Sequence, residues 1–207
     1  MNEVTVSKEN QELFLTKLRQ KTSASHKQLE DNEYSKAILL PTVTLADYQT
    51  YIAKMYGVVV ACERDIFPLI NAVIPDLELR YKASFILKDL ENTGVETRFL
   101  QNLPEYHFTV SNAAEAMGVM YVLEGSTLGG KFLYKHINQF LGLDAQNGAS
   151  YFWGYGQQTG LLWKTFIAAL NGFAILEDCG DEIISHAVQT FLKIDNWLGT
   201  AEINLAK

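Results

Sequence analysis

Arg19, Thr22, His26 and Glu30 recur at steps of three, four and four residues, so on a helix they share one face. A histidine placed this way can ligate a metal through one ring nitrogen while the other donates to an acceptor that fixes the tautomer. Glu30, one turn beyond His26, stands where such an acceptor is needed. Arg19, two turns before it, adds a permanent cation suited to an anionic ligand. The same spacing also suits an ordinary half-exposed helix, with His26 and Glu30 as an i,i+4 pair worth roughly a few tenths of a kcal/mol. Spacing leaves both readings open. The remaining histidines lack a comparable stripe: His107 follows Pro104 in a turn, and His136 and His186 sit on amphipathic stretches.

A second pattern is YVLEGSTLGG at residues 121–130, set between the helix-forming runs AAEAMGVMYVLE and KFLYKHINQF. Each glycine inside a helix costs about 1 kcal/mol relative to alanine, so a cluster needs a reason. Gly118, Tyr121, Gly125 and Gly129 fall three or four residues apart, on one helix face. Such a bare face lets something approach the backbone. It suits a partner helix packed on small residues, a helix break at Gly129 and Gly130, or a flat ligand lying on the backbone.

These faces need helices to carry them, and the apolar periodicity supplies them. Phe14, Leu18, Thr22, Ser25 and Leu29 give an amphipathic helix over 11–31. Thr44, with Asp47 in a capping-box position, opens a helix over 45–62. Further helices are expected over 76–93, from Ser111 with Glu115 toward Gly130, over 131–141 ending at Gly142, and over 161–176 and 181–198. Residues 144–160 read as a loop rich in glycine and aromatics. About seven helices and no alternating strand predict an all-α fold.

The 207 residues suit one unit, 1–207, with an ordered core over about 11–200. A net charge of −7 argues against a nucleic-acid binder, because the phosphate attraction would work against the protein's own field. Cys62 and Cys179 are too few for a disulfide framework or a cysteine-built zinc site. The start MNEVTVSKENQELF lacks the basic, then apolar, character of a secretory signal, and the uncharged run 145–163 holds four glycines and several polar residues. A cytoplasmic protein without a membrane span is expected. Lys17, Arg19, Lys21 and Lys27 form a basic patch on this acidic chain, fit for an anionic ligand or an acidic partner, or simply a solvated face.

Three segments together resemble the heme oxygenase family, in particular its bacterial, biliverdin-forming branch associated with bacteriophytochromes. They are LRQKTSASHKQLE (18–30), YVLEGSTLGG (121–130) and YFWGYGQQTGLLWKTF (151–166). The resemblance implies a multihelical domain that holds heme b between a proximal and a distal helix. It makes His26 the iron ligand, with Glu30 as the partner of its imidazole. Gly125 and Gly129 become the distal glycines that steer the reaction, and Ser126 the polar position beside them, where mammalian-type members carry an aspartate. Arg19, Tyr121 and Lys164 become contacts for the propionates, and Thr22, Gly130 and Phe191 further heme-binding positions.

The implied reaction is three successive oxygenations of heme to biliverdin, carbon monoxide and ferrous iron. The chain has no Rossmann glycine fingerprint and no cysteine-rich cluster site, so electrons must come from an external ferredoxin- or flavoprotein-type donor. The biliverdin could supply a bacteriophytochrome, or the reaction could serve iron recovery. Other expectations are a non-catalytic heme carrier or sensor of the same fold, or a non-heme member of the wider superfamily. A di-iron member needs paired Glu-x-x-His motifs, and no acid here has a histidine three residues on. A thiaminase-like member needs a nucleophilic cysteine, whereas Cys62 and Cys179 read as core residues.

Overall fold

The computed structural model describes residues 8–205, with side chains described from residue 12. The expectations that rest on the first seven residues lie outside this range. Ten α-helices make up the described chain: α1 (Lys8–Asp31), α2 (Glu33–Ala37), α3 (Leu45–Ala61), α4 (Phe67–Ile70), α5 (Ala83–Asn92), α6 (Thr97–Leu100), α7 (Ala113–Leu141), α8 (Ser150–Trp153), α9 (Thr159–Leu176) and α10 (Gly180–Thr200). Among the described residues there is no strand, only an isolated bridge between Asp144 and Gly148. The fold is all-α.

Local sequence accounts for several helix ends. At the start of α3 the Thr44 hydroxyl accepts from the Asp47 N–H (3.2 Å) while the Asp47 carboxylate accepts from the Thr44 N–H (2.9 Å), a reciprocal capping box. Gly142 ends α7 in the left-handed region at φ 71°, where its N–H donates to the Asn138 carbonyl.

Other boundaries differ from the expected ones. Gly129 and Gly130 do not break the glycine-bearing helix; both keep negative φ, and α7 runs on for 29 residues. Its N-cap is Asn112, whose side chain accepts from the Glu115 N–H, while Glu115 accepts from the N–H of Ser111. The expected helix over 76–93 is divided: a 3-10 turn, Leu77–Arg80, ends at the extended Tyr81, and α5 begins afresh at Ala83. Its first N–H groups, on Lys82 and Ala83, donate to the Glu63 carboxylate at 2.6 and 2.7 Å. Glu63 comes from a π-helical turn, Cys62–Ile66, that continues α3. The expected loop over 144–160 contains α8, opened the same way by Asp89, which accepts the N–H groups of Ser150 and Tyr151 at 2.8 and 2.7 Å.

In the core, α10 packs on both α7 and α1, and α9 packs on α7 and α1. The crossing of α7 with α10 is close at Gly118, where an added Cβ would meet the Ile183 carbonyl oxygen at 2.6 Å and the Ala187 nitrogen at 2.9 Å. Gly118 therefore belongs to helix packing and not to a ligand-facing stripe. The stretch Ser150–Leu176 is long and apolar enough to cross a membrane by length and composition alone, but a third of its most apolar window is buried in this packing.

Candidate active site

Between α1, α7, α9 and α10 lies a cavity of about 710 Å³, closed at one end by α2 and α3. Small-molecule sites span roughly 300–1,000 Å³, so it has room for a large organic ligand. From α1 it receives Arg19, His26 and Glu30. The His26 ring is half exposed, with Nδ1 3.8 Å from a Glu30 carboxylate oxygen, inside ion-pair range and beyond a direct hydrogen bond. Its closest described aromatic neighbour is Phe191 of α10, which also lines the cavity.

Thr22 does not join them. It is 3% exposed, and its hydroxyl donates to the Leu18 carbonyl at 2.8 Å. At about 100° per residue Thr22 is offset by about 40° from His26 toward the buried Leu18, which turns it into the core.

From α7 the cavity receives Tyr121, Gly125, Ser126 and Gly129. A Cβ added at Gly129 would meet nothing within 4 Å, and one at Gly125 would touch only the Trp163 ring. Their bare backbone opens onto the cavity, in contrast to Gly118. The Ser126 hydroxyl donates to the Leu123 carbonyl at 2.7 Å. Gly130 lies outside this wall: it is buried, and an added Cβ there would come 3.2 Å from the Phe152 carbonyl. Lys164 is exposed on α9 and also absent from the wall, because the neighbouring residue, Trp163, takes the inward position. Among the described residues, Arg19 is thus the one permanent cation lining the cavity. In the wider basic patch, Lys17 pairs with Asp181 and Lys27 with Asp31.

On the other side of α7 a smaller cavity of about 70 Å³ shares Tyr51, Met55, Leu123, Ser126 and Leu133 with the large one. Burial pushes the Tyr51 hydroxyl up to about 12. The polar wall of the small cavity is a buried ionic cluster centred on Glu124, which is 1% exposed. Its carboxylate pairs with the Arg80 guanidinium and accepts from Lys82 Nζ (3.2 Å) and the Tyr155 hydroxyl (2.6 Å). Arg80 also bonds both Asp76 oxygens, at 2.9 and 3.0 Å. Burial works against its charge, but Glu124 and Asp76 outweigh it and hold the guanidinium above its usual value. Burial and the neighbouring Glu124 charge push the Tyr155 phenol well up. Sequence reasoning missed this cluster and Trp163. The one available signal was a lone acid, Glu124, one turn beyond Met120 and two beyond Met117 on an apolar face.

The sequence profile of the heme oxygenase family matches residues 12–199. The chain belongs to the heme oxygenase family. Heme oxygenase PigA of Pseudomonas aeruginosa is 28% identical over 177 residues, 81% of this chain and 82% of that protein. Three solved structures share the fold. Heme oxygenase from Leptospira interrogans aligns with a TM-score of 0.75 at 18% identity, covering 89% of this chain and 98% of that one. Heme oxygenase-1 from the cyanobacterium Synechocystis sp. PCC6803, determined in complex with heme, gives 0.70 at 19% identity and 90% coverage of each chain. The NO- and CO-bound Neisseria meningitidis enzyme gives 0.69 at 24% identity and 89% coverage of each.

The residues of this family member fit the macrocycle. The cavity is mostly apolar, offers one half-exposed imidazole and one cation, and has open glycine backbone on α7. The other superfamily readings find less. Among the described residues no three of His, Cys, Asp and Glu cluster to hold a metal. Cys62 is fully buried 3.8 Å from the Met120 sulfur, and burial pushes its thiol well up, away from nucleophilic use.

Proposed function

We propose that this protein is a heme oxygenase that opens heme b to biliverdin, carbon monoxide and ferrous iron, using O2 and externally supplied electrons. One observation carries the reading: the His26 imidazole and the bare backbone of Gly125 and Gly129 line the same macrocycle-sized, mostly apolar cavity. The bound heme would supply the oxygen-activating iron and be the molecule consumed. The protein's part is to seat it and to choose the carbon attacked.

His26 would hold the iron, with Phe191 and Glu30 limiting the rotation of its ring. Arg19 would anchor a propionate, and Tyr121, one turn before Gly125, would offer it a hydroxyl. Gly125 and Gly129 would let the plane settle against α7, where any side chain would hold it off. Their exposed backbone and the Ser126 hydroxyl would be the polar groups that α7 offers the ligand. The small cavity has room for about two waters. Lys82, whose ammonium donates to Glu124 and to the Tyr155 hydroxyl, lines it together with Ser126. That arrangement suits a proton supply to the side of the ligand facing α7.

Electrons would arrive from a ferredoxin- or flavoprotein-type donor. Lys21, the member of the basic patch that is off the cavity wall and without a partner among the described residues, is a suitable landing point for an acidic one. Mixing the protein with hemin tests the ligation directly. A one-to-one complex with a histidine/water absorption spectrum is expected, and His26→Ala should lose that spectrum and the turnover with it. A His26→Ala protein that keeps both overturns the assignment.

A further inference from the structure

On α9 the residue that faces the ligand cavity is Trp163. Its six-membered ring lies against α7 at the glycine: a Cβ built on Gly125 would come 3.7 Å from Trp163 Cη2 and 3.9 Å from Cζ3, ordinary contact distances. A flat molecule resting on the Gly125 backbone would therefore come up against the Trp163 ring.

That ring is held in place. Tyr121 flanks it with ring centroids 6.1 Å apart, and the fully buried Phe166 backs it at 5.8 Å. The backbone that carries it is tied to α7 through one buried guanidinium. Arg80 donates to the Leu162 carbonyl (3.1 Å) and the Thr165 hydroxyl (3.2 Å), on either side of Trp163, while it pairs with Glu124, the residue before Gly125. The backbone that carries the indole is thus anchored beside Gly125 through a buried ion pair, and the ring itself is packed between Tyr121 and Phe166.

The charges of the cavity leave a task for this wall. A dicarboxylate macrocycle with a nearly square rim can sit in several in-plane orientations. The single lining cation, Arg19, can pair with either carboxylate and so does not by itself select one. A rigid ring pressed on one edge does select, because methyl, vinyl and propionate substituents differ in size. On the reading that heme is the ligand, we propose that Trp163 is the positioning residue that sets the in-plane seating of the macrocycle. It thereby decides which bridging carbon lies over Gly125 and Gly129.

The experiment compares wild type, Trp163→Ala and Trp163→Phe as ferric hemin complexes with cyanide, recording the hyperfine-shifted ring-methyl resonances, and then identifies the biliverdin isomers after turnover. Wild type should show one dominant set of methyl resonances, favoured by at least about tenfold, which corresponds to about 1.4 kcal/mol. Trp163→Ala should split them into seatings within about twofold of each other, with the product isomers in the same ratio, and Trp163→Phe should fall between. Leu161→Ala, two residues away on the same helix and exposed, should leave the ratio unchanged, which separates seating from a general effect on the helix. Should Trp163→Ala fail to fold, Trp163→Phe carries the test. The proposal is overturned if either variant keeps a single wild-type set of resonances and a single isomer, or if wild type is itself evenly split. A wild-type chain that takes up no hemin instead overturns the heme reading on which this rests.

Discussion

Phe191 meets the His26 imidazole edge to face, with ring centroids 5.2 Å apart and planes at 84°. The Glu30 carboxylate stands farther off than a hydrogen bond and is 58% exposed. The ring that would hold iron is therefore oriented more by a buried aromatic on α10 than by the acid beside it. An aromatic pair of this geometry contributes about 0.5–1.5 kcal/mol beyond its buried area. Phe191→Ala should accordingly weaken hemin binding by about threefold to tenfold. Glu30→Gln should change it by less than about threefold, as an exposed ion pair would. Titration of hemin into each variant, followed at the Soret band, checks the order; a larger loss in Glu30→Gln would reverse it.

The glycines of α7 separate by function. Gly118→Ala drives a methyl group into the Ile183 carbonyl and the Ala187 nitrogen, and should destabilise the fold by about 1–3 kcal/mol, as overpacking does. Gly129→Ala meets no neighbour and should stabilise the ligand-free helix by up to about 1 kcal/mol through helix propensity. Its effect should fall on hemin binding and turnover, where the methyl group holds the plane away from the backbone. Denaturant melts paired with hemin titrations separate the two. Equal behaviour of both variants in both assays would remove the distinction.

Glu124 balances two buried cations, Arg80 and Lys82. Glu124→Gln keeps the shape and removes the charge, leaving Arg80 with Asp76 alone. Breaking a buried pair this way costs about 3–5 kcal/mol, so the melting temperature should fall clearly. Tyr155→Phe removes two hydrogen bonds, one donated to Glu124 and one accepted from Lys82, and should cost at least about 1.5–3 kcal/mol. Thermal unfolding of both variants is the measurement. A wild-type melting temperature in Glu124→Gln would show that the cluster is not closed in solution.

Burial pushes the Asp89 carboxyl up from its ordinary value of 3.8, against the opposing pull of its bonds to Ser150 and Tyr151. A carboxyl raised on folding binds its proton more readily in the folded state, so its contribution to stability improves as pH falls through the raised value. That improvement levels off below 3.8, where the unfolded chain is protonated too. Asp47 runs the other way: its hydrogen bonds with Thr44 hold it low, so its contribution is complete above 3.8 and is lost as pH falls through the lowered value. From neutral pH downward, wild-type stability relative to Asp89→Asn should rise, and relative to Asp47→Asn it should fall. Urea melts at a series of pH values give both slopes, and equal signs would contradict the assignment.

Much of this was legible in local sequence. The His26 face, the Gly125 and Gly129 face and the Thr44 cap each involve residues within two helical turns, where spacing and geometry are the same thing. What was hidden depends on partners far along the chain. Nothing near Gly118 announces that α10 crosses there. The start of α5 is set by Glu63, 19 residues earlier, and that of α8 by Asp89, 61 residues earlier. Arg80 and Glu124 are 44 residues apart. Thr22 and Lys164 lie off the wall of the large cavity for two different reasons. An i,i+4 step leaves an offset of about 40°, which turns Thr22 from His26 toward the core, whereas Lys164, suggested by the resemblance alone, is one residue and so about 100° from the inward Trp163.

The most direct measurement follows the hemin complex spectroscopically with O2 and a ferredoxin- or flavoprotein-type reductase system, with catalase present to remove free peroxide. If the cavity between His26 and the α7 glycines opens heme, the Soret band decays, biliverdin appears, and carbon monoxide is released in equal amount. A Soret band that persists while electrons are being delivered contradicts that function and leaves a heme-binding protein of the same fold.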